Sequence, residues 1–176
     1  MIIGFEGGLG SGKTIGAVRY LLKDFANGRK VFSNIRLRGI DYEHLNVLDI
    51  MGNENLTNVS ILIDEITVFM DCRSSISKMN KILSYFILQT RKRNCTLYFT
   101  TQDFSMVDKR LMKYCEIQVL CSKVYNSDGS DREGVHHYSI VDVRDIHDVK
   151  ISRFYLDVRP YFDYYDTDEI IMPPVD

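Results

Sequence analysis

Gly7, Gly12, Lys13 and Thr14 in the run GGLGSGKT meet the spacing G-x-x-x-x-G-K-[ST], the pattern of a loop that wraps nucleotide phosphates. Glycines let successive backbone N–H groups turn inward as a cradle, and a helix starting near Lys13 would set its positive end under a pyrophosphate. Gly8, Leu9, Gly10 and Ser11 complete the loop. The Lys13 ammonium is placed to reach the outer phosphates and the Thr14 hydroxyl to complete a Mg²⁺ shell, so ATP and Mg²⁺ are the expected cofactors. A second chemical signature is Asp64-Glu65, directly after the β-branched run Val59–Ile63. Carboxylates at the carboxyl end of a buried strand lie where α/β sheets place their ligands. Asp64 would hold the metal through water, and Glu65 would orient and deprotonate an attacking water. Gln102, which ends the next strand-like run, could sense a terminal phosphate or align water if its strand lies between the other two. A glutamine bonded only to its own loop is the alternative.

The elements that must carry these groups alternate along the chain. Met1 to Phe5 reads as a strand, and Ile15, Val18, Leu21, Leu22 and Phe25 form a helix-period stripe stopped by Asn27-Gly28. Val31 to Asn34 is a short second strand, and Asn46 to Ile50 another brief extended piece. After the Val59–Ile63 strand, Met79, Ile82, Leu83, Phe86 and Thr90 share a helical face within Ser77 to Arg91. A strand over Thr96 to Thr100 and a helix over Ser105 to Tyr114 follow. Strands alternating with helices indicate a layered α/β protein with a parallel sheet. Beyond Tyr114 the pattern changes to two strands, Glu116 to Tyr125 and Val135 to Val143, joined across a hairpin tip at residues 126–131, with a last strand over Ile151 to Val158.

With 176 residues, 45% hydrophobic and 26% charged, the chain has the size and composition of one globular domain. Apolar runs fall well short of the ~20 residues of a membrane span and the start lacks a signal pattern, so no membrane insertion and a cytoplasmic location are expected. A net charge of −2 leaves nucleic acid open, because a local basic patch suffices. Lys109, Arg110, Lys113, Lys123 and Arg132 are available for phosphate contacts, with ordinary solvated charge as the plainer reading of each. Cys72, Cys95, Cys115 and Cys121 show no metal-ligand spacing and read as reduced thiols. His136 and His137, adjacent in a strand, point to opposite faces and cannot chelate one ion together; surface or packing roles are expected for both.

GGLGSGKT, SILIDE, LQTRKRNCTLYFTTQD and the closing YFDYYDTDE resemble the FtsK/HerA superfamily of DNA-pumping ATPases. The likeness is nearest to the zonula occludens toxin and filamentous-phage assembly branch and to the small genome-packaging ATPases of viruses. It is strongest from Met1 to about Asp103 and fainter through the tail. The resemblance implies a P-loop NTPase three-layer sandwich with a mostly parallel sheet, in which the strand ending at Gln102 lies between the two phosphate-binding strands. Here it would carry a C-terminal β-hairpin extension. One domain over 1–176 is expected, divided into a nucleotide-binding core (1–114), a β-rich extension (115–160) and an acidic aromatic tail (161–176). It further implies a homo-oligomeric, usually hexameric, ring, and it assigns Lys13 and Thr14 to phosphate and magnesium, Asp64 and Glu65 to magnesium and water, and Gln102 to sensing. Arg91 and Arg93 match the position of a family arginine that acts on a neighbour's nucleotide. Zonula occludens toxin relatives continue into a membrane span and this chain stops at Asp176, which favours a soluble motor over virion extrusion.

The leading expectation is a motor that couples ATP hydrolysis to DNA movement in viral genome packaging, gripping DNA by its backbone without sequence preference and working with a capsid or virion protein. The alternative is an assembly or secretion factor whose ATP cycle remodels protein partners. A small-molecule kinase ranks below both, because water activation at Glu65 would harm it and no basic lid segment is present.

Overall fold

The computed structural model describes residues 1–45, 56–69, 78–145 and 147–166. Strand β1 (Ile2–Glu6) runs into the glycine loop and then helix α1 (Lys13–Ala26). Strands β2 (Lys30–Ser33), β3 (Glu43–His44) and β4 (Val59–Ile63) follow, then helix α2 (Lys78–Gln89), strand β5 (Thr96–Thr101) and the short helix α3 (Lys109–Tyr114). Strands β6 (Ile117–Tyr125), β7 (Asp131–Asp142) and β8 (Lys150–Asp157) complete the sheet, and a 3-10 turn at Arg159–Tyr164 leads into the tail.

The eight strands form one sheet in the order β3-β2-β4-β5-β1-β6-β7-β8. Pairing is parallel from β3 through β6 and antiparallel between β6, β7 and β8. β5 therefore lies between β1 and β4, as the resemblance implied, and the three carboxyl ends converge on one edge. Every residue of β4 and β5 is buried, as central strands covered on both faces must be, which explains their unbroken apolar and β-branched character.

Side-chain alternation divides the core in two. Ile61, Ile63, Leu97 and Phe99 pack on one face with Phe86 and Ile87 of α2 and Leu111 of α3. Phe5, Leu62 and Tyr98 pack on the other with Ala17, Val18 and Leu21 of α1, and with Tyr138 from the hairpin. A polar anchor fixes the angle of α1: Asp24 accepts from the Ser60 hydroxyl at 2.5 Å and the Tyr98 hydroxyl at 2.9 Å. The three-layer sandwich with a β-hairpin extension is thus the observed architecture.

Several boundaries differ from expectation, each for a local reason. The helix expected over Ser105 to Tyr114 is interrupted: Phe104–Met106 is a 3-10 turn, Val107 is extended, and α3 begins only at Lys109. Two aspartates impose this break. Asp103 accepts from the Ser105 N–H at 2.7 Å and Asp108 from the Arg110 N–H at 2.8 Å, so each caps its own short turn. β7 starts four residues before the expected Val135, because the hairpin tip is tight: the Asn126 N–H donates to the Ser130 carbonyl at 2.8 Å and Gly129 takes φ 83°. The two-residue β3 had no sequence signal. The extended piece expected at Asn46 to Ile50, like Cys72, lies outside the described residues. Cys95, Cys115 and Cys121 are free and buried, in line with the reading of reduced thiols.

Candidate nucleotide site

The loop from Gly7 to Gly12 is packed from behind by the hairpin, and its glycines are required by close approach. A Cβ on Gly7 would stand 2.4 Å from the Cys121 carbonyl oxygen, and one on Gly12 would stand 2.7 Å from the His136 ring and 2.8 Å from the Tyr138 hydroxyl. Gly12 also takes φ 86°, which a side chain would strain. The Tyr138 hydroxyl donates to the Gly12 carbonyl at 2.8 Å. Gly8, by contrast, faces open space. Lys13 is buried, with its ammonium donating to the Gly8 carbonyl at 3.1 Å, so the positive charge sits directly over the loop. Ser11 is only 4% exposed, and among the described residues its hydroxyl finds no hydrogen-bond partner. A buried cation with one neutral acceptor and an orphaned buried hydroxyl are groups that phosphate oxygens would satisfy.

Across the cleft, Asp64 is 9% exposed, and one of its carboxylate oxygens accepts from the Thr14 and Thr100 hydroxyls, each at 2.8 Å. Its backbone is held on both sides by Asn34, whose amide accepts from the Asp64 N–H at 2.7 Å and donates to the Asp64 carbonyl at 3.0 Å. The hydroxyl and carboxylate expected to share a metal are therefore in direct contact. Among the described residues no group of three or more His, Cys, Asp or Glu side chains could hold a metal unaided. Thr14 with Asp64 is instead the sparse oxygen set that suits Mg²⁺ completed by phosphate and water.

Glu65 departs from ordinary backbone, with φ 50° and ψ 61°, a left-handed conformation costing a non-glycine residue about 1 kcal/mol. Its N–H donates to the Thr100 hydroxyl at 2.8 Å, which holds the conformation. Burial, and secondarily the Asp64 carboxylate, raise its pKa above the usual carboxylate value, while Lys13 opposes the shift. A carboxylate raised in this way is a better proton acceptor than an exposed one.

A cavity of about 470 Å³ gathers these groups, lined by Leu9 to Thr14, Ile35, Asp64, Glu65, Val68, Tyr165 and Asp166. Gln102 is exposed just past β5, beside the start of the loop, where the Gly7 N–H donates to the Thr101 carbonyl at 3.4 Å, but it does not line the cavity. Arg91 and Arg93 lie at the far end of β5, one strand length from the Asp64 edge. Arg91 is exposed and borders a separate cavity with Lys113, Glu116 and Arg144. Arg93 is only 7% exposed, and its guanidinium donates to the Gln89 side-chain oxygen at 3.1 and 2.9 Å. Lys13, Thr14, Asp64 and Glu65 are thus brought together; the two arginines are not brought to them within one chain.

Sequence reasoning passed over Asn34, Thr100, Tyr138 and Tyr165. Asn34 and Thr100 end strands on the ligand edge, and that position was the available signal for them. His136 and His137 do pack on opposite sides, His136 against Gly12 and His137 beside Tyr155 with ring centroids 5.1 Å apart. Two of the basic residues considered for phosphate contact already have acidic partners: Lys123 with Asp131 at 2.9 Å, and Arg110 with Asp108 at 2.7 Å.

The fold has close counterparts among solved structures. The N-terminal domain of zonular occludens toxin from Neisseria meningitidis is similar at TM-score 0.66 and 21% identity, over 94% of this chain and 98% of that one. The genome packaging NTPase B204 from Sulfolobus turreted icosahedral virus 2, solved with ATP-gammaS, gives 0.56 and 13% over 85% and 95%. The flagellar accessory protein FlaH from Methanocaldococcus jannaschii gives 0.57 and 12% over 79% and 76%. These likenesses establish the P-loop NTPase fold. No curated protein matches the chain. In sequence, residues 51–168 match the family model of zonular occludens toxin (Zot), a stretch that omits the glycine loop and takes in the fainter likeness of the tail. With well over half its length matched, the chain belongs to the zonular occludens toxin family.

Proposed function

We propose that the protein binds ATP with Mg²⁺, hydrolyses it, and uses the cycle to move DNA through a homo-oligomeric ring. The observation that carries the hydrolytic part is the cluster at the cleft: a buried lysine over a glycine cradle, Thr14 hydrogen-bonded to Asp64, and a half-buried Glu65 held in a left-handed turn. In this reading the loop N–H groups and Lys13 hold the phosphates, Thr14 and Asp64 hold Mg²⁺, and the metal neutralises charge on the outer phosphates. Glu65 takes the proton of the attacking water. Gln102 senses the terminal phosphate from the end of β5. Arg91, exposed at the opposite edge, is the better placed of the two arginines to reach a neighbour's nucleotide, because Arg93 is turned inward onto Gln89.

DNA as the cargo draws support from likeness to the DNA-packaging ATPase B204; a hexameric ring, a capsid or virion partner and a cytoplasmic setting complete the proposal. Among the described residues no helix is long and apolar enough to cross a membrane. The second reading, ATP-driven remodelling of protein partners, draws on the fold shared with FlaH and on the prior pairing of Lys123 and Arg110. Phosphate release measured with no DNA, single-stranded DNA and duplex DNA separates them. Stimulation that is indifferent to sequence and lost with salt supports the motor. Hydrolysis untouched by either DNA form at low salt supports remodelling, and no hydrolysis at all removes both.

A further inference from the structure

The tail enters the nucleotide cleft, although the sequence marks it only as acidic and aromatic. After the turn Arg159–Tyr164, the chain forms an antiparallel bridge between Tyr165 and Leu37, and the Arg38 N–H donates to the Tyr164 carbonyl at 2.8 Å. Arg38 also pairs with Asp166 at 3.2 Å. The loop that holds the tail follows Asn34, the residue that clamps Asp64 from both sides, so tail and metal carboxylate share one support. Tyr165 and Asp166 line the same cavity as the glycine loop, Asp64 and Glu65, and the Asp64 charge acts on the Tyr165 phenol. The Tyr165 ring packs with Tyr164 against the apolar cluster that contains Leu37, a role that calls for an aromatic ring but not for its hydroxyl.

We propose that Tyr165 is a nucleotide-contacting residue, its hydroxyl donating to the outer phosphate oxygens or their metal-bound water, so that a bound triphosphate also fixes the tail against the Leu37–Arg38 loop. The placement beside Asp64 and Glu65 selects the outer phosphates over the base or ribose. Burial, and then the Asp64 charge, push the phenol up to about 12, so it keeps its proton and remains a donor at neutral pH. A neutral donor suits a wall shared with two carboxylates, where a lysine would be drawn away into an ion pair. Asp166, tied to Arg38, orients the turn without facing the phosphates with an uncompensated charge.

This inference rests on the nucleotide reading, and the test separates the two. Dissociation constants for Mg²⁺-ATPγS and Mg²⁺-ADP are measured by displacement of a fluorescent ADP analogue from the parent, Tyr165→Phe and Lys13→Ala. Thermal unfolding without nucleotide serves as the check that Tyr165→Phe, which keeps the ring, is folded. Loss of one hydrogen bond to a charged acceptor predicts ATPγS binding about tenfold weaker for Tyr165→Phe, with ADP within about twofold of the parent. Hydrogen exchange at the Arg38 amide is expected to slow when ATPγS is added to the parent. Unchanged ATPγS affinity in Tyr165→Phe, or equal losses for ATPγS and ADP, overturns the contact while leaving the nucleotide reading intact. A parent that binds neither nucleotide any better than Lys13→Ala removes both.

Discussion

Thr100 is the most economical place to test the site's internal logic. It is fully buried, donates to Asp64 at 2.8 Å and accepts from the Glu65 N–H at 2.8 Å, so one hydroxyl joins the carboxylate proposed to hold the metal to the strained turn of the proposed base. Thr100→Val keeps the shape and removes both bonds. A bond to a carboxylate contributes about 1.5–3 kcal/mol, and a buried N–H left without an acceptor costs about 1–3 kcal/mol. The extra apolar surface of valine returns about 1 kcal/mol. A net loss of about 1.5–5 kcal/mol follows, or about 3–20 °C in Tm for a chain of this length. Hydrolysis should fall further than stability suggests, by at least about tenfold, because Glu65 is no longer held in its left-handed conformation. Thr100→Ser separates the two effects: it retains the hydroxyl, loses a methyl worth about 1 kcal/mol, and should keep most of the rate. Urea unfolding and steady-state phosphate release at saturating ATP measure both quantities. If Thr100→Val unfolds within about 0.5 kcal/mol of the parent and hydrolyses at the parent rate, the linkage through this hydroxyl is wrong.

Glu65→Gln should retain ATP while losing about 10²–10⁴ of the single-turnover rate. Because the folded protein raises the Glu65 pKa, ionising it costs stability as pH climbs through the ordinary carboxylate range. The glutamine variant should therefore be the more stable of the two at neutral pH in urea unfolding, with the difference vanishing in acid; a glutamine variant less stable at neutral pH contradicts this. The acid limb of the parent's kcat/KM profile should likewise sit above the range of an exposed carboxylate. Gly16→Ala should destabilise the protein in spite of alanine's better helix propensity, because the added Cβ would stand 2.7 Å from the Tyr138 ring. Overpacking of about 1–3 kcal/mol outweighs a propensity gain of about 1 kcal/mol, and an unfolding midpoint at or above the parent's would refute the contact. Arg91→Ala protein mixed with Glu65→Gln protein should regain partial hydrolysis if the arginine acts across subunits, whereas Arg93→Ala should show its effect first in stability; dead rings that are demonstrably mixed exclude the cross-subunit role.

What the sequence disclosed follows from how far apart the cooperating residues are. The glycine loop, the Asp64-Glu65 pair and the alternation of strands and helices are written in short windows, where spacing and burial act on neighbours. The order of the strands was not local, and it came from a resemblance whose motifs happened to mark the three strands that meet at the cleft. The broken helix near Val107 was legible in principle, since Asp103 and Asp108 are each strong caps, but the apolar spacing across them matched a longer helix and outweighed them.

Residues absent from the sequence reading share one property: their meaning lies in a partner far along the chain. Tyr138 meets Gly12 across 126 positions, and Asn34 meets Asp64 across 30. Neither residue type is distinctive alone, and nothing near Gly16 in the chain indicates that a ring must pass it. Such contacts also explain why the hairpin belongs to the site rather than standing beside it. With the Gly12 carbonyl bound by Tyr138, and Gly7 closed in by the Cys121 carbonyl, the loop cannot shift toward or away from phosphate without moving β6 and β7. Any motion that nucleotide imposes on the cradle would therefore reach the strands that carry the hairpin tip, and a nucleotide contact by Tyr165, as proposed, would carry it also to the Leu37–Arg38 loop.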